Sequence, residues 1–261
     1  MKYIIKSYLK FLKNATNQHG VHSPFVYNLV TKCFYDKNKY GEYSILKQYR
    51  NSLLENKNFI DVTDFGAGSR IFKSNKRQIS KIAKTAGIST KRAKLLFRVV
   101  TYFQAAHVLE IGTSLGLATS ALSLGNSNAK ITTLEGCQKT QEIARENLQI
   151  PIFKFQNIEF INIKFEDYLS IQKTQPATYN LIYFDGNHSK KATLDYFDLL
   201  LSTITNDSVW IFDDIHWSKD MEEAWEIIKK HPKVKVTIDT FQWGFIFFRE
   251  EQEKEHFIIR V

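Results

Sequence analysis

Cysteine is nearly absent from this chain: Cys33 and Cys137 are the only two in 261 residues, and no paired spacing links them. That excludes a disulfide framework and a thiolate zinc site, and it fits a reducing compartment. No apolar run approaches the length that spans a bilayer, and no charged, apolar, small-residue succession marks a secretory leader, so a cytoplasmic protein is expected. A phosphate-binding P-loop is excluded too, because no glycine turn runs into Gly-Lys-Ser or Gly-Lys-Thr. The Gly-x-Gly-x-x-Gly spacing that makes room for a pyrophosphate is also missing.

The chain does carry bulk for a core and an excess of positive charge. A hydrophobic content of 43%, with 20 Phe and 12 Tyr, supports a substantial interior. The length fits one large domain, or a catalytic domain with an N-terminal addition. A net charge of +9 admits nucleic acid, an anionic membrane surface or an acidic substrate as partner. The lysines are scattered, however, which favours ordinary solvated faces over a nucleic-acid surface.

The most informative stretch is Val108-Leu-Glu-Ile-Gly-Thr-Ser-Leu-Gly116, followed by Lys130-Ile-Thr-Thr-Leu-Glu135. It reads as a strand, a glycine turn opening a helix, and a second strand ending on a carboxylate. Parallel α/β sheets hold nucleoside-bearing cofactors with such a unit. Gly112 and Gly116 would let backbone approach the ligand. Glu135 sits where a side chain accepts from two ribose hydroxyls, with Gly136 beside it. Glu110 would repel a pyrophosphate but suits a ligand with a positive amino group.

These residues resemble motif I and the acidic strand end of class I S-adenosylmethionine (SAM)-dependent methyltransferases, nearest the catechol and caffeoyl-CoA O-methyltransferase branch. The resemblance covers roughly Ser89 to Arg249. It implies SAM as cofactor, held by Glu110, Gly112, Thr113, Ser114, Gly116, Glu135 and Gly136, with Phe165, Glu166 and Asp185 as further contacts.

From Ala106 onward strands and helices alternate. Strands are expected at residues 107–111, 130–135, 158–163, 179–185, 208–212, 234–240 and 244–249, and helices at Gln138–Leu148 and Lys190–Ser202. This demands a mostly parallel sheet covered on both faces. Only Phe241-Gln-Trp243 joins the last two strands, so they form an antiparallel hairpin. The expected fold is a Rossmann-like, seven-stranded α/β domain over residues 89–261, preceded by a helical extension over residues 1–88.

Two blocks carry the chemistry. Tyr179-Asn-Leu-Ile-Tyr-Phe-Asp-Gly-Asn-His-Ser189 delivers Asp185 to the carboxyl edge of the sheet, and Ser208-Val-Trp-Ile-Phe-Asp-Asp-Ile-His-Trp217 delivers Asp213 and Asp214. Three converging carboxylates need a cation, a positive ligand or a shared proton. The catechol-type resemblance implies a divalent metal on Asp185 and Asp213, with Asp214 in place of the family's Asn. The expectation is an oxygen-ligated Mg²⁺ on Asp185, Asp213 and Asp214. Asn187 likewise replaces the second acid of a related Asp-Gly-Asp-His pattern. Without a metal, His188 is the general base; its plainer reading is a cap on the next helix. Asp185, His188 and Asp213 are the catalytic candidates.

The clamp of amine-methylating nucleic-acid enzymes, Asn/Asp-Pro-Pro-Tyr/Phe, is missing, as is a Pro-Cys nucleophile. A small-molecule or lipid-like acceptor is therefore expected. An RNA methyltransferase and a non-catalytic SAM-binding or membrane-associated scaffold stand as alternatives. Trp217 and Trp243 are read as loop residues that could floor an apolar pocket, and Trp210 and Trp225 as core.

The N-terminal region is less legible. Residues 1–13 set Ile4, Ile5, Tyr8, Leu9 and Leu12 against Lys2, Lys6, Lys10 and Lys13. Such a helix docks on its own domain or on a dimer mate, or lies on an anionic membrane. Ser23 and Pro24 open a second helix to about Phe34. His19 and His22 precede it without a third ligand for zinc. Asp64-Phe-Gly-Ala-Gly-Ser-Arg70 imitates a cofactor loop, but Lys73 to Thr85 reads as a basic helix rather than a strand. It is taken as a structured turn, with Arg70 available to an anionic substrate.

Overall fold

The computed structural model describes residues 2–66, 68, 72–153 and 155–261; Arg70 lies outside them. In chain order the elements begin with α1 (Lys2–Asn14), α2 (Pro24–Leu29), α3 (Glu42–Glu55), β1 (Phe59–Asp61), β2 (Lys76–Gln78), α4 (Ile79–Thr85) and α5 (Thr90–Phe103). There follow β3 (His107–Ile111), α6 (Leu117–Gly125), β4 (Lys130–Glu135), α7 (Gln138–Leu148), β5 (Ile158–Asn162) and α8 (Phe165–Thr174). The remainder is β6 (Leu181–Phe184), α9 (Lys190–Leu200), β7 (Val209–Asp213), α10 (Lys219–Lys230), β8 (Val236–Asp239), β9 (Trp243–Phe247) and β10 (Glu255–Ile258).

The chain divides into two compact units: residues 36–165, and residues 1–35 together with 166–261. The expected boundary at residue 88 does not coincide with this division.

In the unit of residues 36–165, β3, β4 and β5 run parallel, with Leu109 opposite Thr132 and Thr133 opposite Phe160. α5 starts at Ser89, whose hydroxyl accepts from Arg92 N at 3.3 Å, so one orphan N–H of the first turn is satisfied. Its apolar stripe, including Leu96, Val99 and Val100, is fully buried. Residues 73–85 depart from the expected helix. Lys76–Gln78 pairs antiparallel with Phe59–Asp61, and only Ile79–Thr85 is helical. The apolar period needed for a longer helix begins only at Ile79, which is buried together with Ile82 and Ala83.

In the other unit β6 and β7 are parallel, β9 is antiparallel to both β7 and β8, and β10 is parallel to β8. All seven expected strands are present, and the 236–247 hairpin forms as its short connection requires. An eighth strand, β10, corrects the count of seven. Its alternation is weak, with only Phe257 and the following Ile259 buried. Strands β6, β7 and β9 are buried along their whole length, so they read as continuous apolar runs. Trp243 is a buried strand residue, not a loop residue as expected.

α1 docks within this unit. Tyr3 donates to Glu222, Ser7 Oγ lies 3.2 Å from the same carboxylate, and the Phe11 ring sits 5.5 Å from that of Phe241. The helix from Pro24 changes to a π-type turn over Val30–Phe34. Thr16 then exchanges backbone hydrogen bonds with Ile258 and Arg260 at 2.9 and 3.0 Å.

Candidate cofactor and proton-transfer residues

The glycine turn after β3 is fixed by backbone bonds. Gly112 has φ +107°, open to glycine alone among common residues, and the N–H groups of Gly112 and Thr113 both donate to Leu134 O at 3.0 Å. Ser114 takes a left-handed conformation that turns its N–H onto Glu135 Oε2 at 2.9 Å. Cys137 N donates to Oε1 at 2.9 Å. The turn therefore orients the Glu135 carboxylate while leaving it lone pairs for hydroxyl donors. Burial pushes the Glu135 pKa up; the N–H groups of Cys137, Ser114 and Gly136 oppose that, and Asp64 adds repulsion.

Gly116 has a reason the sequence reading missed. A Cβ there would lie 2.6 Å from Leu148 Cδ1 and 3.0 Å from the Tyr49 hydroxyl, so packing inside the unit already requires glycine. That hydroxyl donates to Leu115 O at 2.7 Å, locking the end of the turn.

Glu110 is fully buried. Its Oε2 accepts from Thr119 Oγ1 at 2.5 Å and Thr133 Oγ1 at 2.6 Å, and Thr133 is joined to Thr113 Oγ1 at 2.6 Å. Among the described residues its Oε1 has no hydrogen-bond partner. Burial lifts its pKa to about 8 against the pull of the two threonines. A buried carboxyl with one oxygen unsatisfied fits a cationic group of a ligand, and Glu135 fits a diol. This donor set suits SAM.

The unit of residues 1–35 and 166–261 carries the acids. The Tyr183 hydroxyl, two residues before Asp185 on the same strand face, lies 3.0 Å from Asp213 Oδ2 and 3.4 Å from Asp185 Oδ2. Asp213 Oδ1 accepts from Asp214 N at 2.8 Å, with Asp214 in a left-handed turn. His188 Nε2 lies 3.6 Å from Asp185 Oδ1. The cap of α9 is Ser189, whose Oγ accepts from Ala192 N, so His188 is not the cap of its helix. Glu166 Oε1 accepts from the Tyr196 hydroxyl at 2.6 Å, and Phe165 is half-buried at the start of α8.

Two of the three expected carboxylates are thus joined through a phenol. Among the described residues no group of three or more His, Cys, Asp or Glu side chains is arranged to hold a metal ion. Asp185, Asp213 and Asp214 therefore do not form the expected Mg²⁺ cage.

The sequence reading missed three participants. Tyr183 was legible as the i−2 neighbour of Asp185. His216 sits 2.7 Å from Asp239 and 3.6 Å from Glu222. Burial alone would lower its pKa, but the two carboxylates hold it above the usual value. Phe65, from the segment set aside as a structured turn, lies against Gly136, where a Cβ would come within 2.8 Å of its ring.

Residues 109–215 match the family model of a methyltransferase domain. The fold is similar to that of an O-methyltransferase from Bacillus cereus solved with SAH, at 20% identity over 80% of this chain and 90% of that one, with a TM-score of 0.54. It is similar to the SAH-bound Podospora anserina methyltransferase PaMTH1, at 14% identity, 88% and 97% coverage and a TM-score of 0.59. It is also similar to the O-methyltransferase TomG of Streptomyces achromogenes, involved in tomaymycin synthesis and solved with SAM, at 16% identity, 80% and 89% coverage and a TM-score of 0.54. The glycine turn, Glu135 and the two acid blocks thus lie in or beside a segment that matches the methyltransferase-domain model, on a fold similar to the Rossmann-like fold of those enzymes.

Proposed function

We propose that this protein methylates a hydroxyl oxygen of a small-molecule or lipid-like acceptor. The observation that carries the reading is the Glu135 carboxylate, held by Ser114 N and Cys137 N directly after the glycine turn. When bound, SAM supplies an electrophilic methyl group on a sulfonium. In this reading Glu135 holds the ribose hydroxyls, and Glu110 Oε1 receives the amino group. His188 would take the acceptor's hydroxyl proton at Nδ1 while the methyl group passes from the sulfonium sulfur to the oxygen, leaving SAH. Asp185, 3.6 Å from Nε2, stabilises the imidazolium that results. The Tyr183 hydroxyl between Asp185 and Asp213 keeps these two acids from repelling each other at full strength.

SAH release measured over a panel of hydroxylated acceptors tests this. His188→Ala should lower kcat by about a hundredfold or more, and excess EDTA should leave turnover intact. Loss of turnover in EDTA with full activity of His188→Ala would assign the proton to a metal-bound acceptor and overturn the role given to His188.

Docking of α1 leaves part of its apolar surface open. Ile5 is 57% exposed and Leu9 61%, and Lys6, Lys10 and Lys13 are exposed beside them. Apolar side chains next to a lysine stripe suit an anionic lipid surface. This supports membrane contact through residues 1–13, which a lipid-like acceptor would exploit.

A further inference from the structure

We infer that Phe65 forms the base-side wall of the cofactor site, an assignment that rests on the SAM reading above. Three observations place it there. Glu135 ends β4, and the residue after it is Gly136, so no side chain follows the ribose acid on the chain itself. The missing volume is filled from elsewhere: a Cβ on Gly136 would lie 2.8 Å from Phe65 Cδ2 and 3.2 Å from Cε2. Yet Phe65 remains 51% exposed, with the mobile end of Lys164 5.8 Å from its ring centroid, so part of the ring can meet a ligand.

The segment that carries Phe65 is tied to the same strand end. Thr63 N donates to Cys137 Sγ at 3.3 Å, and Cys137 Sγ lies 3.9 Å from Asp61 O. Asp64 accepts from Gly66 N at 3.1 Å and pairs with Arg77 at 3.1 Å. Asp64 is also close enough to Glu135 to disfavour its ionised form. Phe65 is therefore held beside the acid before any ligand arrives.

Stereochemistry supplies the rest. A purine is attached at C1′, next to the 2′-hydroxyl. An acid that holds the 2′ and 3′ hydroxyls has the base as its neighbour, and here an aromatic ring stands at that neighbouring position. Purine on phenylalanine stacks well and tolerates water at its edges. The loop between β1 and β2, which the sequence offered only as an imitation of a cofactor motif, thereby supplies a cofactor contact of another kind.

Calorimetry with SAH and with 5′-methylthioadenosine on the full chain tests the assignment. Phe65→Ala should weaken both about tenfold or more, and by similar factors, because the lost contact is to the base that they share. Phe65→Trp should keep affinity, and its added indole fluorescence should change when SAH binds. Glu135→Ala serves as reference and should weaken both ligands at least tenfold. Failure of the parent protein to bind SAH would bring down the SAM reading itself. If the parent binds and Glu135→Ala does not, the Phe65 proposal is overturned by parent-like affinity in Phe65→Ala. An unchanged spectrum of SAH-saturated Phe65→Trp would overturn it even if Phe65→Ala proved poorly folded.

Discussion

At Glu110 the chain buries a carboxyl group completely, giving one oxygen two hydroxyl donors and, among the described residues, the other none. With its pKa raised from 4.5 to about 8, the native state prefers the neutral form. The linkage has a definite sign. A raised folded-state pKa contributes stability that is complete below the unfolded value and is lost as pH rises through the folded one. Between about pH 5 and pH 8 the melting temperature of the parent should therefore fall relative to Glu110→Gln, which has no proton to lose. Thermal melts at several pH values, without ligand, check this; a constant difference would mean that the carboxyl is ionised throughout. Glu135 is buried too and its pKa is also raised, but there three backbone N–H groups, of Cys137, Ser114 and Gly136, oppose the rise. Residue type and spacing made both acids legible in the sequence. Their different electrostatic settings were not, because Thr119 and Thr133 reach Glu110 from two other elements.

Among the elements, legibility followed the strength of the local pattern. Gln138–Leu148 was readable to the residue, and the hairpin of β8 and β9 followed from a connection too short for a crossover. The strand Lys76–Gln78 was not readable, since Lys-Arg-Gln has no apolar alternation and is set by its antiparallel partner. Strand β10 escaped for a similar reason, being specified by pairing with β8. The contact of Phe65 with Gly136 joins residues 71 apart, beyond anything a local period reports. α1 is the element with two claims on it. It docks through Tyr3, Ser7 and Phe11, while Ile5 and Leu9 face outward. Sedimentation with anionic vesicles should carry the parent down in a salt-sensitive manner. The double variant Ile5→Gln/Leu9→Gln should stay in solution with an unchanged melting temperature. Equal sedimentation of both would remove the membrane contact, and a shift in mass by light scattering without vesicles would assign the face to a second copy of the chain.

Among the described residues, part of the positive charge is held in ion pairs. Lys130, Lys139, Lys190, Lys191 and Lys229 each pair locally with Glu159, Glu142, Glu223, Asp195 and Glu226. Surface pairs of this kind add little stability, but they hold charge that a nucleic-acid track would need free. Among the described residues no helix is long and apolar enough to cross a membrane, so the lipid contact proposed for α1 lies at a surface.

The bonds between Thr16 and the segment Ile258–Arg260 also bear on the order in which the protein forms. One compact unit is built from residues 1–35 and 166–261, the other from the continuous stretch 36–165. On the ribosome α1 emerges well before Glu222, Phe241 and Arg260, its eventual neighbours, are made. The stretch that bears Gly112 and Glu135 can gather its strands during synthesis, whereas α1 must wait as a solvated amphipathic segment. Partial proteolysis of arrested nascent chains should therefore find residues 36–165 protected while residues 2–14 are still cleaved. Protection of both at the same chain length would show that α1 finds a shelter other than its final one. While residues 36–165 are being made, then, the chain presents its lysine-rich apolar helix unburied, ahead of the residues that will hold it.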